Sequence, residues 1–167
     1  VFNTFLQERK DTGRIYLMNV DHANDHGSFI PELAPIHQSN LCCEIDLPTK
    51  PLHSAGDLGG EISLCTLSAI NWGLIEETTD FEKYCTLAVR ALDNLLDYQK
   101  YPVPAAMHST KFRRPLGIGI INLAFFLAKR GLKYDKNAFG IINKYAEAWS
   151  YYLIKASADL AEEKGHC

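Results

Sequence analysis

Apolar residues return along this chain with two rhythms, and each rhythm predicts a kind of element. Between Asp80 and Tyr98, Phe81, Tyr84, Cys85, Ala88, Leu92, Leu95 and Leu96 recur three and four positions apart, which places them on one face of a helix. Asp80 stands where a capping carboxylate belongs. A second such stretch, about 137–163, predicts a helix burying Phe139, Ile142, Ala146, Trp149, Leu153, Ala156 and Leu160. The opening run V-F-N-T-F-L-Q-E-R-K reads as helix interior, stopping near Asp11-Thr12-Gly13 with Gly13 as the left-handed terminator.

Shorter runs follow a different pattern. R-I-Y-L-M-N-V (14–20) and E-I-S-L-C-T-L-S-A-I-N-W (61–72) are rich in β-branched and apolar residues and predict buried strands. N-L-C-C-E-I-D-L (40–47) reads as a short strand or a loop tip, halted by Pro48. With the Gly- and Pro-rich stretch that follows, 40–47 and 61–70 predict a long hairpin or finger. D-H-A-N-D-H-G-S (21–28) is turn chemistry, and Pro31 and Pro35 keep 29–38 irregular or briefly helical. Y-P-V-P-A-A (101–106) predicts extended chain, because each proline restricts itself and its predecessor. Pro115 suits the first position of a helix running to about Lys129 and ended by Gly131. Strands come first and helices after: about 1–72 carries strands and a finger, and 73–167 is mainly helical. The expectation is a single α/β segment over 1–167 whose strands lack some of their neighbours.

Composition narrows the function classes. The 167 residues are 47% hydrophobic and 22% charged, ordinary values for a globular protein. A formal charge of -3 leaves no basic stripe, which argues against a nucleic-acid partner. No run reaches the roughly 20 apolar residues that span a bilayer, so no membrane partner is expected. The five cysteines are odd in number, form no CxxC pair and fit no disulfide framework, which points to a reducing, cytoplasmic setting. Both ends read as cut, implying a segment of a larger protein or one part of a split one.

Several clusters invite chemistry. His22 and His26 form an H-x-x-x-H pair that would share a helix face, but the turn-forming surroundings favour loop hydrogen bonding over a metal. Gly117-Ile-Gly119 begins like a dinucleotide fingerprint, yet Asn122 replaces the third glycine and no strand is expected before it; close helix packing is the simpler account. Lys111, Arg113 and Arg114 would meet a phosphate at the start of that helix, or form a solvated basic turn.

The stretch S-N-L-C-C-E-I-D-L-P-T-K-P (39–51) is denser in chemistry than any of these. On an extended backbone, side chains alternate faces, so Asn40, Cys42 and Glu44 would line one surface while Cys43 joins the packing face as a small apolar residue. The plain alternative is an ordinary half-buried strand. Cys65, mid-strand between Leu64 and Thr66, reads as a core thiol unless the fold brings it beside Cys42.

The same stretch, followed by G-E-I-S-L-C-T-L-S-A-I-N, resembles the catalytic-loop region of the large subunit of class I ribonucleotide reductases. The likeness extends back through G-R-I-Y-L-M-N-V-D-H. It runs forward through L-L-D-Y-Q-K-Y-P-V-P-A-A and R-R-P-L-G-I-G-I-I-N-L-A-F-F-L-A-K, covering essentially the whole chain. It implies part of a ten-stranded α/β barrel with a finger loop, followed by several amphipathic helices. Cys42 matches the cysteine whose thiyl radical abstracts the 3′ hydrogen of a ribonucleoside diphosphate. Glu44 matches the residue that takes the 3′-hydroxyl proton, and Asn40 the amide that binds the substrate hydroxyls, with Ser39 beside it at the substrate. Cys65 matches one of two thiols that reduce the 2′ carbon as water leaves.

The likeness further implies that no cofactor binds this segment directly. The radical would come from a metal-containing small subunit, reduction from thioredoxin or glutaredoxin, and ATP or dNTP effectors would bind elsewhere. The second thiol and the phosphate-binding loop also lie elsewhere in that family, so the segment would need the remaining large-subunit sequence to work. Two other readings stand beside it. The chain could be a non-catalytic remnant or assembly piece of a split subunit, or a stand-alone thiol redox protein, which the missing CxxC disfavours.

Overall fold

The computed structural model describes residues Val1–Cys167, which divide into two compact units. The first comprises residues 1–63 with 103–108, and the second 64–102 with 109–167. No helix is long and apolar enough to cross a membrane.

The first unit is held mostly by turns. Helix α1 (Phe2–Thr12) ends as its sequence predicts: Gly13, at φ 64°, donates its N–H to Arg9 O. The strand predicted at 14–20 does not form, and Tyr16 and Leu17 are exposed. β-propensity is realised by packing against a neighbouring strand, and the only sheet of this chain is made elsewhere. The following turn-forming run is instead a short helix, α2 (Val20–Asp25). Asn24 explains why: its amide donates to Val20 O and Ile36 O, and its Oδ1 accepts from Ile36 N, each at 2.9 Å. One side chain therefore closes the helix and pins the buried Ile36. Further along, Lys50 and Glu61 pair as an antiparallel bridge, with backbone bonds of 3.1 Å both ways and an ion pair of 3.0 Å. The bridge closes the base of the 50–61 loop, but the long hairpin predicted from 40–47 and 61–70 does not form, because residues 66–71 take residues 116–121 as their sheet partner.

The second unit holds the regular sheet. β1 (Thr66–Asn71) pairs in parallel with β2 (Leu116–Ile121), in register Thr66↔Leu116 to Asn71↔Ile121. β1 is shorter than the run predicted at 61–72, because its partner begins only after Arg114, at φ 47°, and Pro115, which has no N–H to give a ladder. β2 itself replaces the predicted helix from Pro115 to Lys129; only its far end, α5 (Leu123–Ala128), is helical. Asn122, in the left-handed region at φ 65°, makes the break between them. The glycines Gly117 and Gly119 thus lie in a strand rather than a helix.

Between the strands run α3 (Asp80–Tyr98) and α4 (Pro104–Arg113). The extended chain predicted at 101–106 gives way to α4 because Pro104 occupies a first-turn position, where the missing N–H costs nothing. α3 matches its predicted span. Its buried face is Phe81, Cys85, Val89, Leu92 and Leu96, while Tyr84 and Leu95 turn outward. Asp80 does not cap α3's own amides; its carboxylate accepts from Glu76 N and Glu77 N in the preceding turn. The last helix, α6 (Phe139–Lys164), also falls where predicted, with Tyr145 buried and Phe139, at its first turn, 72% exposed.

The core of this unit centres on Trp72, just past β1. Its ring meets Phe81 and Phe126 edge-on at 5.6 Å and lies 6.1 Å from Tyr145. Such pairs contribute about 0.5–1.5 kcal/mol each beyond the area they bury. Arg130 closes the cluster: its guanidinium stacks 3.9 Å from the Phe126 ring centre and donates to Phe126 O, Ile75 O and Tyr145 Oη.

Candidate active site

The residues 39–46 form a tight turn rather than a strand, the loop-tip alternative of the two sequence readings. A single antiparallel bridge, Ser39↔Asp46, closes its base. Above it Asn40 N donates to Ile45 O at 3.2 Å, and Cys43 N donates to Asn40 O at 3.0 Å, folding Leu41 and Cys42 over the top. Cys43 sits in the left-handed region at φ 59°. For a residue with a Cβ that conformation costs about 1–3 kcal/mol, and it persists only where the surroundings enforce it.

Asn40 does the enforcing. Its Oδ1 accepts from both Glu44 N and Ile45 N at 3.0 Å, while its Nδ2 donates to Glu44 Oε1 at 2.6 Å. Asn side chains compete with ladder bonds in this way, which is why the segment turns instead of extending. The alternating-row picture of Asn40, Cys42 and Glu44 is therefore corrected. The amide and the carboxylate are in direct contact because the chain curls, and Cys42 is exposed on the curl between them. Cys43 is half-buried, but on a turn and not on the back of a strand. Ser39, half-buried at the base, donates through its hydroxyl to Asn40 O at 3.1 Å.

Cys65 belongs to the second unit and stands immediately before β1. It is half-buried, and burial pushes its thiol pKa up, favouring the neutral S–H. Beside it lies Gly117 of β2. A Cβ built on Gly117 would come within 2.9 Å of Cys65 Sγ and closer still to Leu67 Cδ2. The G-x-G spacing was visible in the sequence, but its meaning depends on a strand pairing that joins residues far apart in the chain.

The other sequence candidates resolve differently. His22 lies within α2 and His26 just past its end, so the helical premise set aside from the turn formers holds in part, with ring centres 5.8 Å apart. No third His, Cys, Asp or Glu joins them in a group able to hold a metal. Lys111 and Arg113 occupy the last turn of α4, not a helix start, so no helix N-terminus faces them. Lys111 pairs with Asp97, and Arg114 with both Asp93 and Asp97; Lys164 of α6 also binds Asp93. Burial raises the Asp93 pKa, but hydrogen bonds from Arg114 and Lys164 more than reverse that and leave it lowered.

Comparison with known proteins places these features in a family. The description "Ribonucleotide reductase, barrel domain" matches residues 1–167. The ribonucleoside-diphosphate reductase subunit alpha of Buchnera aphidicola (from Acyrthosiphon pisum) is 55% identical over 168 residues, covering 100% of this chain and 22% of that protein. Subunit alpha of ribonucleoside-diphosphate reductase 1 from Escherichia coli is also 55% identical over the same shares. The subunit alpha of Enterobacteria phage T4 is 44% identical over 99% of this chain and 22% of its own length. This chain thus spans about a fifth of the length of these relatives, and it is a mixed helix-and-strand stretch of the domain they share. The chain belongs to the ribonucleotide reductase family, within its barrel domain.

Proposed function

We propose that this chain is the radical-cysteine segment of a ribonucleoside-diphosphate reductase large subunit, part of a ten-stranded α/β barrel whose finger loop is the turn at residues 39–46. The contact between Asn40 Nδ2 and Glu44 Oε1, on the turn that exposes Cys42, is the observation that best supports this reading. The amide fixes a carboxylate beside a thiol and leaves the thiol accessible. Radical reduction of a ribose needs a thiol to take the 3′ hydrogen and a base to take the 3′-hydroxyl proton.

Cys42, as a thiyl radical, takes the 3′ hydrogen of a ribonucleoside diphosphate and becomes a thiol. Glu44 accepts the 3′-hydroxyl proton, raising electron density at C3′ while the 2′-hydroxyl leaves as water. Asn40, with Ser39 beside it, hydrogen-bonds the substrate. Cys65 and a second thiol from outside this chain supply two electrons and two protons and close to a disulfide. Cys42 then returns its hydrogen to C3′ and is a radical again. The net change is one ribonucleoside diphosphate and two thiols going to one deoxyribonucleoside diphosphate, one disulfide and water. A metal-containing small subunit supplies the initial radical, thioredoxin or glutaredoxin re-reduces the disulfide, and ATP or dNTP effectors act outside this segment. The setting is the cytoplasm.

The test is deoxynucleotide formation by the full-length large subunit with its small subunit, comparing Cys42 with Cys42→Ser. The expected result is turnover in the first and none in the second, with assembly equal. Equal turnover would remove Cys42 from the reaction. Assembly without turnover in either form, with a competent small subunit, would favour a non-catalytic piece of the large subunit instead.

A further inference from the structure

We infer that Gly117 is a positioning residue for the Cys65 thiol: its missing side chain leaves the space in which the Cys65 sulfur sits. The inference rests on the reading of Cys65 as a reductant for its functional meaning, though not for its geometry.

Two glycines in the same strand make the argument. Gly117 and Gly119 are two apart in β2, so they project toward one face of the sheet. Both carry the same cost in chain entropy relative to alanine. They differ in what a side chain would meet. A Cβ on Gly119 would find only Ser68 O, at 3.8 Å, an ordinary contact. A Cβ on Gly117 would overlap Cys65 Sγ at 2.9 Å and Leu67 Cδ2 more closely still. Neither glycine has a positive φ, so backbone conformation does not demand glycine at 117. Room for its neighbours does. Leu67 is 61% exposed and can swing away. Cys65 has a single side-chain torsion, so its sulfur can yield only by changing rotamer, which moves it out of its half-buried place. A disulfide tolerates little error in the approach of its two thiols, since its Cβ atoms must come within about 3.5–4.5 Å of each other.

The experiment compares Gly117→Ala with Gly119→Ala in the full-length large subunit. The first readout is the rate at which iodoacetamide labels Cys65 across a range of pH, followed by mass spectrometry of the Cys65 peptide. Displacement from its half-buried place removes the burial that keeps the thiol protonated. Labelling of Cys65 in Gly117→Ala should therefore be about tenfold faster than in Gly119→Ala at the same pH, with other thiols unchanged. The second readout is turnover with the small subunit. A reacting group misplaced by an ångström costs on the order of 100-fold, so kcat should fall steeply in Gly117→Ala with KM little changed, while Gly119→Ala keeps its activity.

Where Gly117→Ala fails to assemble, Leu67→Ala/Gly117→Ala removes the closer overlap and leaves only the one with Cys65. A thermal-stability cycle of Gly117→Ala against Cys65→Ala then measures their coupling directly. The expected result is that Gly117→Ala lowers the melting temperature less once the sulfur is gone. Equal or slower Cys65 labelling in the two glycine variants, or a cycle without coupling, would overturn the inference. Full turnover in Cys65→Ser would instead overturn the reductant reading, and the labelling comparison would still decide the role of Gly117.

Discussion

The turn at residues 39–46 and the core around Trp72 are built on opposite principles. The turn exposes Asn40, Leu41, Cys42 and Glu44, and hydrogen bonds from one amide side chain set its shape. The Trp72 core buries four aromatic rings, Trp72, Phe81, Phe126 and Tyr145, and packing sets its shape, with Arg130 sealing the edge. A packed core loses stability when any large member is cut, because its neighbours cannot follow into the space. A turn held by one side chain can lose its geometry while global stability hardly changes. The proposed chemistry thus sits where a single hydrogen-bonding residue can aim it, and stability where many packed neighbours share it.

The sharpest way to break this contrast is Trp72→Ala. Cutting a fully buried tryptophan costs about 3–5 kcal/mol. Hydrogen exchange of the full-length subunit should show faster exchange across β1, α3 and α6 while the amides of residues 39–46 keep their rates. A comparable rise in the turn would mean that the two regions are not held independently.

Asn40→Ala should reverse the pattern. It removes two acceptor bonds and the donor to Glu44, each contributing about 0.5–1.5 kcal/mol, and releases Cys43 from its left-handed conformation. Exchange at Glu44 N and Ile45 N should accelerate roughly tenfold for each 1.4 kcal/mol lost, with the melting temperature within a degree or two of wild type. Turnover, if Glu44 must be aimed, should fall by about 100-fold. Asn40→Asp keeps the acceptor for both N–H groups but sets a carboxylate against Glu44. It should restore the exchange rates and not the turnover, which separates the shape of the turn from the amide's contacts with Glu44 and substrate.

This division also accounts for what the sequence made legible. The helices α3 and α6 were readable because their apolar spacing is local, and Gly13 because a left-handed terminator announces itself. β2 was not. L-G-I-G-I-I alternates large apolar residues with glycine rather than with polar residues, so it carries no polar face to mark a strand, and what makes it one is its pairing with residues 66–71, some fifty positions earlier. Pro104 starts a helix and Pro115 precedes a strand, the reverse of their local signals, because either suits a helix start and only the fold decides between them. At the turn, the candidate residues stand out by type, but alternation predicts a strand there; the Asn40 amide bends the chain by competing for backbone bonds, which residue type alone does not reveal. The roles proposed for Cys42, Glu44 and Cys65 rest on family resemblance, since spacing alone cannot tell a radical cysteine from a packed one.

Thiol reactivity offers a finer probe of the same contrast. Cys42 is exposed, whereas Cys85 lies fully buried in the Trp72 cluster and its pKa is pushed up to about 11 by that burial. At pH 8 iodoacetamide should label Cys42 in the native subunit and leave Cys85 untouched. Trp72→Ala should open Cys85 to labelling without changing the rate at Cys42. Labelling of Cys85 in the native protein would show that the core opens more freely than its packing implies.

The smallest effect concerns charge at the edge of the packed unit, where Asp97 accepts from Arg114 and Lys111. Hydrogen bonds from those two side chains, Arg114 first, hold its carboxyl well below the ordinary value of 3.8. A depressed carboxyl contributes stability that is fully present above the unfolded value and is lost as pH falls toward the folded one. The Asp97 side chain is 51% exposed, so water screens most of this, and Asp97→Asn should cost under about 1 kcal/mol at pH 7. Its signature is the pH profile: wild type and variant should converge as pH drops below about 4, where the wild-type advantage titrates away. If Asp97→Asn were as damaging at pH 7 as Trp72→Ala, ion pairing rather than packing would be holding this unit, and the contrast between turn and core would have to be redrawn.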